Sequence, residues 1–274
     1  MLPNFIIVGA MKAGTTSFAS ALRTHPDVYM PEREVHFFDN EACFQQGLPC
    51  YETFFTAWSG ETAVGEKTPT YSYAEKVPGR IAELTPDVKL IWLFREPIAR
   101  AYSHYWFFIS LGKERRAFPQ ALDREATGAV ADFTMRYRDR SVYATQVERY
   151  LTYFKPEQML YLLFEDLVRD PHAVLRRACE FLGVDPEFTY PEDMPRDNRT
   201  RIPASIPLQW LAFHTLGGQQ SRIVKLVKRY NTRLGSNQYP AIPAEVQNEL
   251  AAFYAPHNQR LAEITGLDLS AWQR

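Results

Sequence analysis

Apolar residues along the chain occur in two spacings. Short unbroken runs stand at Phe5-Ile6-Ile7-Val8, Leu90-Ile91-Trp92-Leu93-Phe94 after Lys89, and Met159-Leu160-Tyr161-Leu162-Leu163-Phe164, with a shorter run at Ala63-Val64-Gly65-Glu66. Runs this short and this continuous predict strands buried on both faces, as in a parallel sheet. Between them the apolar positions recur at helical intervals. Phe18, Ala21 and Leu22 do so within 16–24, and the segments 77–84 and 143–154 behave alike. Strand alternating with helix predicts an α/β fold with a mostly parallel central sheet flanked by helices in three layers. Residues 191–207 are polar and carry prolines, which predicts a long loop, and 208–234 and 244–264 predict helices. With no internal repeat and no low-complexity tract, residues 1–274 read as a single domain.

Composition narrows the function classes. A hydrophobic fraction of 46% and a charged fraction of 23% are those of an ordered globular protein. The net charge of −1 gives no global basic field, so nucleic acid is not an expected partner. The opening apolar run is far below the roughly 20 residues of a spanning helix, and no charged flank marks it as a signal peptide. The expectation is a cytoplasmic protein without a membrane span. Cys43, Cys50 and Cys179 are odd in number and form no CxxC pair, which predicts neither a disulfide framework nor a zinc site. No pattern along the chain sets an oligomeric state.

The turn after the first strand reads Gly9-Ala10-Met11-Lys12-Ala13-Gly14-Thr15-Thr16. Glycines at that spacing, between a strand and a helix, let backbone N–H groups wrap a phosphate at the helix N-terminus. This makes the fold P-loop-like. A nucleoside triphosphatase would place a lysine directly after the second glycine, and here Thr15 stands there. Such enzymes also commonly end a neighbouring strand in an aspartate that holds magnesium. Here the strand ends Phe94-Arg95-Glu96-Pro97, and a cation at Arg95 repels a metal and attracts another phosphate. The pattern points to an anionic nucleotide bound without a metal. Taken alone, the turn also reads as an ordinary strand-to-helix connection.

The loop Lys12-Ala13-Gly14-Thr15-Thr16, followed by Arg95-Glu96-Pro97, resembles the sulfotransferases that use 3′-phosphoadenosine 5′-phosphosulfate (PAPS). Glu34-Val35-His36-Phe37-Phe38-Asp39, Glu66-Lys67-Thr68-Pro69, Arg100-Ala101-Tyr102-Ser103 and Phe164-Glu165-Asp166-Leu167 extend the likeness to the heparan sulfate sulfotransferase branch and related bacterial enzymes. The resemblance implies sulfuryl transfer from PAPS, with 3′-phosphoadenosine 5′-phosphate (PAP) as product and no metal. It implies that Lys12, Ala13, Gly14, Thr15 and Thr16 cradle the 5′-phosphosulfate. Arg95 and Ser103 would bind the 3′-phosphate, and Arg201 or Arg199 would close over it.

By the same likeness Glu34 is the base, His36 assists it, Lys67 lies near the acceptor and Asp39 matches an active-site aspartate. Lys12 would stabilise charge on the bridging oxygen. Several have a plainer reading: Glu34 as a solvated loop residue, His36 as a core histidine, Lys67 as half of a surface ion pair with Glu66, and Arg199 and Arg201 as solvated arginines. In an extended segment His36 would share a face with Glu34. The aromatic run Tyr102, Tyr105, Trp106, Phe107 and Phe108 reads as core or as an acceptor groove.

Two features depart from the branch: Met11 replaces an arginine, and the cysteine-bridged loop near the C-terminal cofactor contacts is missing. The resemblance implies an acceptor hydroxyl or amine, expected on a small molecule, glycolipid or saccharide. Rival readings are a P-loop small-molecule kinase, a nucleotide binder without catalysis, and a sulfotransferase for a carrier-bound acyl chain.

Overall fold

The computed structural model describes residues 1–130, 132–191, 200–218 and 221–272. Five strands, β1 (Phe5–Gly9), β2 (Val28–Tyr29), β3 (Ala63–Lys67), β4 (Lys89–Phe94) and β5 (Met159–Leu163), form one sheet in the order β2-β3-β1-β4-β5. Every pairing is parallel. All five residues of β1 and of β3 are buried, as the continuous apolar runs require of central strands. Ile7 stands opposite Lys67 on one side and Ile91 on the other. The carboxyl ends of β1, β3 and β4 therefore finish together, and the loops that follow them gather at one edge, the ordinary place for a site in such sheets.

The helices are α1 (Thr15–Leu22), α2 (Glu41–Phe44), α3 (Leu48–Glu52), α4 (Val77–Leu84), α5 (Pro97–Leu111), α6 (Phe118–Ala126), α7 (Tyr143–Leu151), α8 (Phe164–Arg169), α9 (Pro171–Leu182), α10 (Ile206–Thr215), α11 (Arg222–Arg233) and α12 (Ala244–Thr265). The described residues form two compact units. One comprises 1–96, 143–191 and 259–269; the other comprises 97–142, 200–258 and 270–272.

In the first unit α1 packs on β1 and β3, and α9 on β5 and α1. α7 sets Tyr143 and Tyr150 against Phe94 and Trp92 of β4, with ring centroids 4.9 and 4.8 Å apart. This is the α/β arrangement that the alternating pattern predicts, a parallel sheet flanked by helices.

In the second unit the aromatic run of α5 is core. Tyr102, Tyr105, Trp106 and Phe108 are buried, Phe107 half-buried. Tyr102 and Tyr105 close on Phe118 with centroids 4.9 and 5.1 Å away. Their hydroxyls donate to the carbonyls of Pro240 and Arg116. Arg100 is fully buried among them and donates to Ser141 Oγ and the Tyr137 carbonyl.

Three expectations change. The two-residue strand β2 lacks the apolar run that marks the others. The range 208–234 is two helices, and α10 begins inside the predicted loop because Ser205 caps it, accepting from the Leu208 N–H with Pro207 in the first turn. Residues 192–199 of that loop lie outside the described residues.

The expectation of no disulfide is also overturned: Cys43 and Cys50 are bonded, with Cα atoms 6.4 Å apart. Gly47, at φ 70°, turns the chain between α2 and α3 and brings these cysteines together, which parity and CxxC spacing do not register. No helix among the described residues is long and apolar enough to cross a membrane.

Candidate active site

The turn after β1 has the form an anion cradle needs. Gly14 precedes α1 at φ 82°, and a Cβ there would stand 2.7 Å from Cδ2 of Phe164, so glycine is required twice over. Lys12 holds a left-handed conformation, φ 71°. Among the described residues α1 has no side-chain cap and no acid in its first turn, and a helix N-terminus of that kind favours an anion. Arg95, just past β4, donates to the Lys12 carbonyl (3.2 Å) and lies over the Phe164 ring at 4.7 Å. Its own carbonyl accepts from Tyr143 at 2.9 Å. The strand-end cation is thus fixed beside the glycine turn.

From α1 a line of polar groups runs across the sheet edge. Lys67 Nζ donates to Thr16 Oγ1 (3.2 Å) and to Glu34 Oε1 (2.8 Å). The other oxygen of Glu34 meets His36 Nε2 at 3.2 Å, and His36 Nδ1 meets Asp39 at 3.0 Å. Asp39 also accepts from Thr70 Oγ1. His36, at φ 51°, is not in a strand, so it reaches Glu34 through a left-handed turn rather than by strand alternation. Lys67 is 7% exposed and pairs with Glu34, not with Glu66, which removes the surface-pair reading.

Burial pushes the Glu34 carboxyl up, but the His36 hydrogen bond and the Lys67 ammonium outweigh it and hold it below the usual range. The hydrogen bond to Asp39, then that to Glu34, raise His36 to about 10 against the effect of burial. Glu34 is therefore ionised between two cations.

Behind this line sits a group to which the sequence reading gave no role. Side chains alternate along β3, so Lys67 faces the site while Glu66 and Thr68 turn to the other side. Glu66 is fully buried and receives Tyr51 OH at 2.7 Å, Tyr71 OH at 3.4 Å and Thr68 Oγ1 at 2.8 Å. Thr68 Oγ1 in turn accepts the N–H groups of Val35 (3.2 Å) and His36 (3.3 Å). Tyr71 OH accepts those of Phe37 (2.8 Å) and Phe38 (3.2 Å). Each hydroxyl has one proton. With that proton committed to Glu66, its lone pairs point to the backbone of the 34–38 loop. Burial comes first in raising Glu66, to about 7, against the lowering effect of the Tyr51 and Thr68 hydrogen bonds. The signal for Glu66 is an acid between Gly65 and Lys67 in an otherwise apolar central strand.

Ala13 and Thr15 are buried in the turn. Ser103 and Arg201 belong to the second unit. Ser103 is buried on α5, and Arg201 is exposed beside Ile202, which bridges Ser236. Arg199 lies outside the described residues.

Known proteins share this architecture. The family model described as "Sulfotransferase domain" matches residues 2–201. Mouse heparan sulfate glucosamine 3-O-sulfotransferase 3B1 is 31% identical over 97% of the chain, which spans 64% of that protein. Human heparan sulfate glucosamine 3-O-sulfotransferase 6 is 30% identical, with 97% and 72% covered. The chain thus spans about 64% of the length of the first of these relatives. The solved sulfotransferase of Alicyclobacillus acidocaldarius superposes with a TM-score of 0.75 at 29% identity, covering 100% of both chains. A glycine turn without the triphosphate lysine, an arginine where a magnesium aspartate would stand, and a family match across both of them lead to one statement: the chain belongs to the sulfotransferase domain family.

Proposed function

We propose that this chain transfers a sulfuryl group from PAPS to a hydroxyl or amine of a saccharide, glycolipid or small-molecule acceptor, with Glu34 as the base. The observation that carries this reading is Lys67, whose ammonium touches both Thr16 at the start of α1 and Glu34 in the facing loop. One cation thereby couples the place where an anion is held to the place where a proton is taken.

The residues fit the donor by the chemistry of their donor set. The turn at Lys12–Thr16 offers backbone N–H groups and a helix N-terminus to a phosphosulfate, and Arg95 offers a guanidinium to a second phosphate. Transfer is an in-line displacement with charge spread over equatorial oxygens. The acceptor oxygen forms a bond to sulfur while the bond from sulfur to the leaving phosphate oxygen breaks, and the acceptor proton passes to Glu34. In such a loose transition state the proton leaves late, so a base held fully ionised serves better than one of high affinity. Lys12 offsets charge on the leaving oxygen, and Lys67 holds Glu34 on the acceptor side. His36, held by Asp39, shares the charge of Glu34 and fixes its orientation. The relatives named for heparan sulfate glucosamine make a saccharide hydroxyl the first acceptor class to screen.

The decisive test is calorimetric binding of PAP without magnesium, compared with ADP and ATP. Micromolar PAP binding that is lost in Arg95→Ala, with ADP much weaker, supports the reading; Ser103→Ala and Arg201→Ala then measure what those two residues add. Preference for ATP with magnesium would put a kinase in its place.

A further inference from the structure

Between Thr200 and Ala244 the chain has six basic residues, Arg201, Arg222, Lys225, Lys228, Arg229 and Arg233, and no aspartate or glutamate. The whole chain has a net charge of −1, so everything outside this segment is net acidic. The same segment concentrates exposed large hydrophobic side chains: Leu208 and Leu211 on α10, Leu216, then Ile223, Leu226, Tyr230 and Leu234 along α11 and its end. Single exposed apolar residues are ordinary on a protein surface, but a contiguous set is not.

On α11 these features sort into three stripes. Val224 and Asn231 are buried, with Val227 and Lys228 half-buried beside them. Ile223, Leu226, Tyr230 and Leu234, each more than half exposed, follow one another at helical intervals and form one ridge. Arg222, Lys225, Arg229 and Arg233, all exposed, form a parallel ridge between the apolar one and the buried side.

The helix is held firmly enough for the ridges to have a fixed direction. Buried Asn231 accepts the Ser205 N–H (2.8 Å) and donates to the Ser205 carbonyl (2.8 Å) and to Gln209 Oε1 (3.1 Å). The Ile202 N–H donates to the Ser236 carbonyl at 2.8 Å, and a Cβ on Gly235 would collide with the Ile202 carbonyl oxygen. α11 is thus pinned on its inner side and open on its outer one.

We propose that the outer face of α11 docks this protein on an anionic lipid surface. A bilayer presents a plane of phosphates over acyl chains, the layering that adjoining basic and aliphatic ridges match. Charge selects against a second copy, because in a two-fold contact the basic ridge would meet itself with no acid in the segment to pair. A soluble polyanion would satisfy the arginines and lysines and leave the aliphatic ridge in water. If the proposed sulfuryl transfer holds, docking brings the chain to lipid-linked acceptors; binding to lipid stands without it.

The test is co-sedimentation of the full chain with vesicles of phosphatidylcholine alone and of phosphatidylcholine with about one-third phosphatidylglycerol, at low salt. Binding only to the anionic vesicles is expected, weakened at least tenfold by Leu226→Ser with Tyr230→Ser. Lys225→Ala and Arg229→Ala should each weaken it about fivefold. Light scattering and thermal melting of each variant show that it is folded. Three results would overturn the proposal: no binding to anionic vesicles, binding unchanged in the Leu226/Tyr230 variant, or a dimer of the parent chain that the same variant dissolves.

Discussion

Two loops meet at the same edge of the sheet, and they are held in opposite ways. In the turn 9–16 the shape is written in the backbone. Gly14 is left-handed against Phe164, the Ala10 N–H returns to the Leu93 carbonyl at 2.7 Å, and the Lys12 carbonyl receives Arg95. In the loop 34–39 the shape is imposed from outside, by Thr68 and Tyr71 hydroxyls that are themselves oriented by Glu66. Both loops contain a left-handed residue that is not glycine, Lys12 at φ 71° and His36 at φ 51°. A backbone of that kind persists only where its surroundings over-determine it. The turn 9–16 relies on close backbone packing; the loop 34–39 relies on a buried acid and three hydroxyls from elsewhere in the chain.

The sharpest way to separate the two loops is to remove one function from each. Glu34→Gln should lower kcat about a hundred- to ten-thousand-fold, the range for a general base, while PAP binding measured by calorimetry stays near the parent value. Equal loss of both would mean that Glu34 serves the donor. Gly14→Ala should do the reverse first: a side chain at φ 82° pressing on Phe164 is expected to weaken PAP at least tenfold. Undiminished PAP binding in that variant would break the claim that the turn is held by its own backbone.

Glu66→Gln tests the supporting network directly. The amide has nearly the same shape but one acceptor oxygen fewer, so either Thr68 or Tyr71 loses the partner for its proton and can no longer offer both lone pairs to the loop. A roughly tenfold fall in kcat is expected, with PAP binding unchanged and KM for the donor unaltered. That split marks Glu66 as a positioning residue. A parallel fall in PAP affinity would mean that Glu66 supports the whole sheet edge. Thr68→Val should cost about 1–3 kcal/mol of stability by stranding the Val35 and His36 N–H groups, read as a lowered unfolding midpoint in denaturant.

The contrast also explains how far the sequence could be read. Strand runs such as Lys89–Phe94 and the turn at Gly9 and Gly14 are local patterns, and their periodicity and spacing lead to the observed sheet and strand-to-helix turn. Glu34, His36 and Lys67 come together from separate segments, so only the family likeness pointed to them, and the structure supplies their contacts. Glu66, Thr68, Tyr71 and Tyr51 escape the sequence as one network because their meaning lies in who donates to whom across separations from 2 to 34 positions of chain. The Cys43–Cys50 bond was missed for the same reason: pairing depends on how Gly47 turns the chain. In the α11 segment the charge asymmetry was present in the sequence but averaged away by a net charge of −1.

The smallest expected effect is on stability against pH, and it distinguishes the site from its support. Glu66 is raised to about 7, so the fold favours its protonated form. The stability linked to that proton is complete below the ordinary carboxylate value of 4.5 and is lost as pH rises through about 7. His36 is raised to about 10, so the stability linked to its charge is complete below its ordinary 6.5 and is lost as pH rises through about 10. The two windows scarcely overlap. The His36 side chain is 43% exposed, and solvent screening makes its contribution modest. Thermal midpoints followed from acid to alkaline pH should therefore flatten in the lower window for Glu66→Gln and in the upper window for His36→Asn, a residue that tolerates the left-handed backbone. If His36→Asn leaves the alkaline slope unchanged, the folded loop does not hold the second imidazole proton to higher pH than the unfolded chain does. Glu34 would then be held ionised by Lys67 alone, and the orientation of the base would rest on the network behind it.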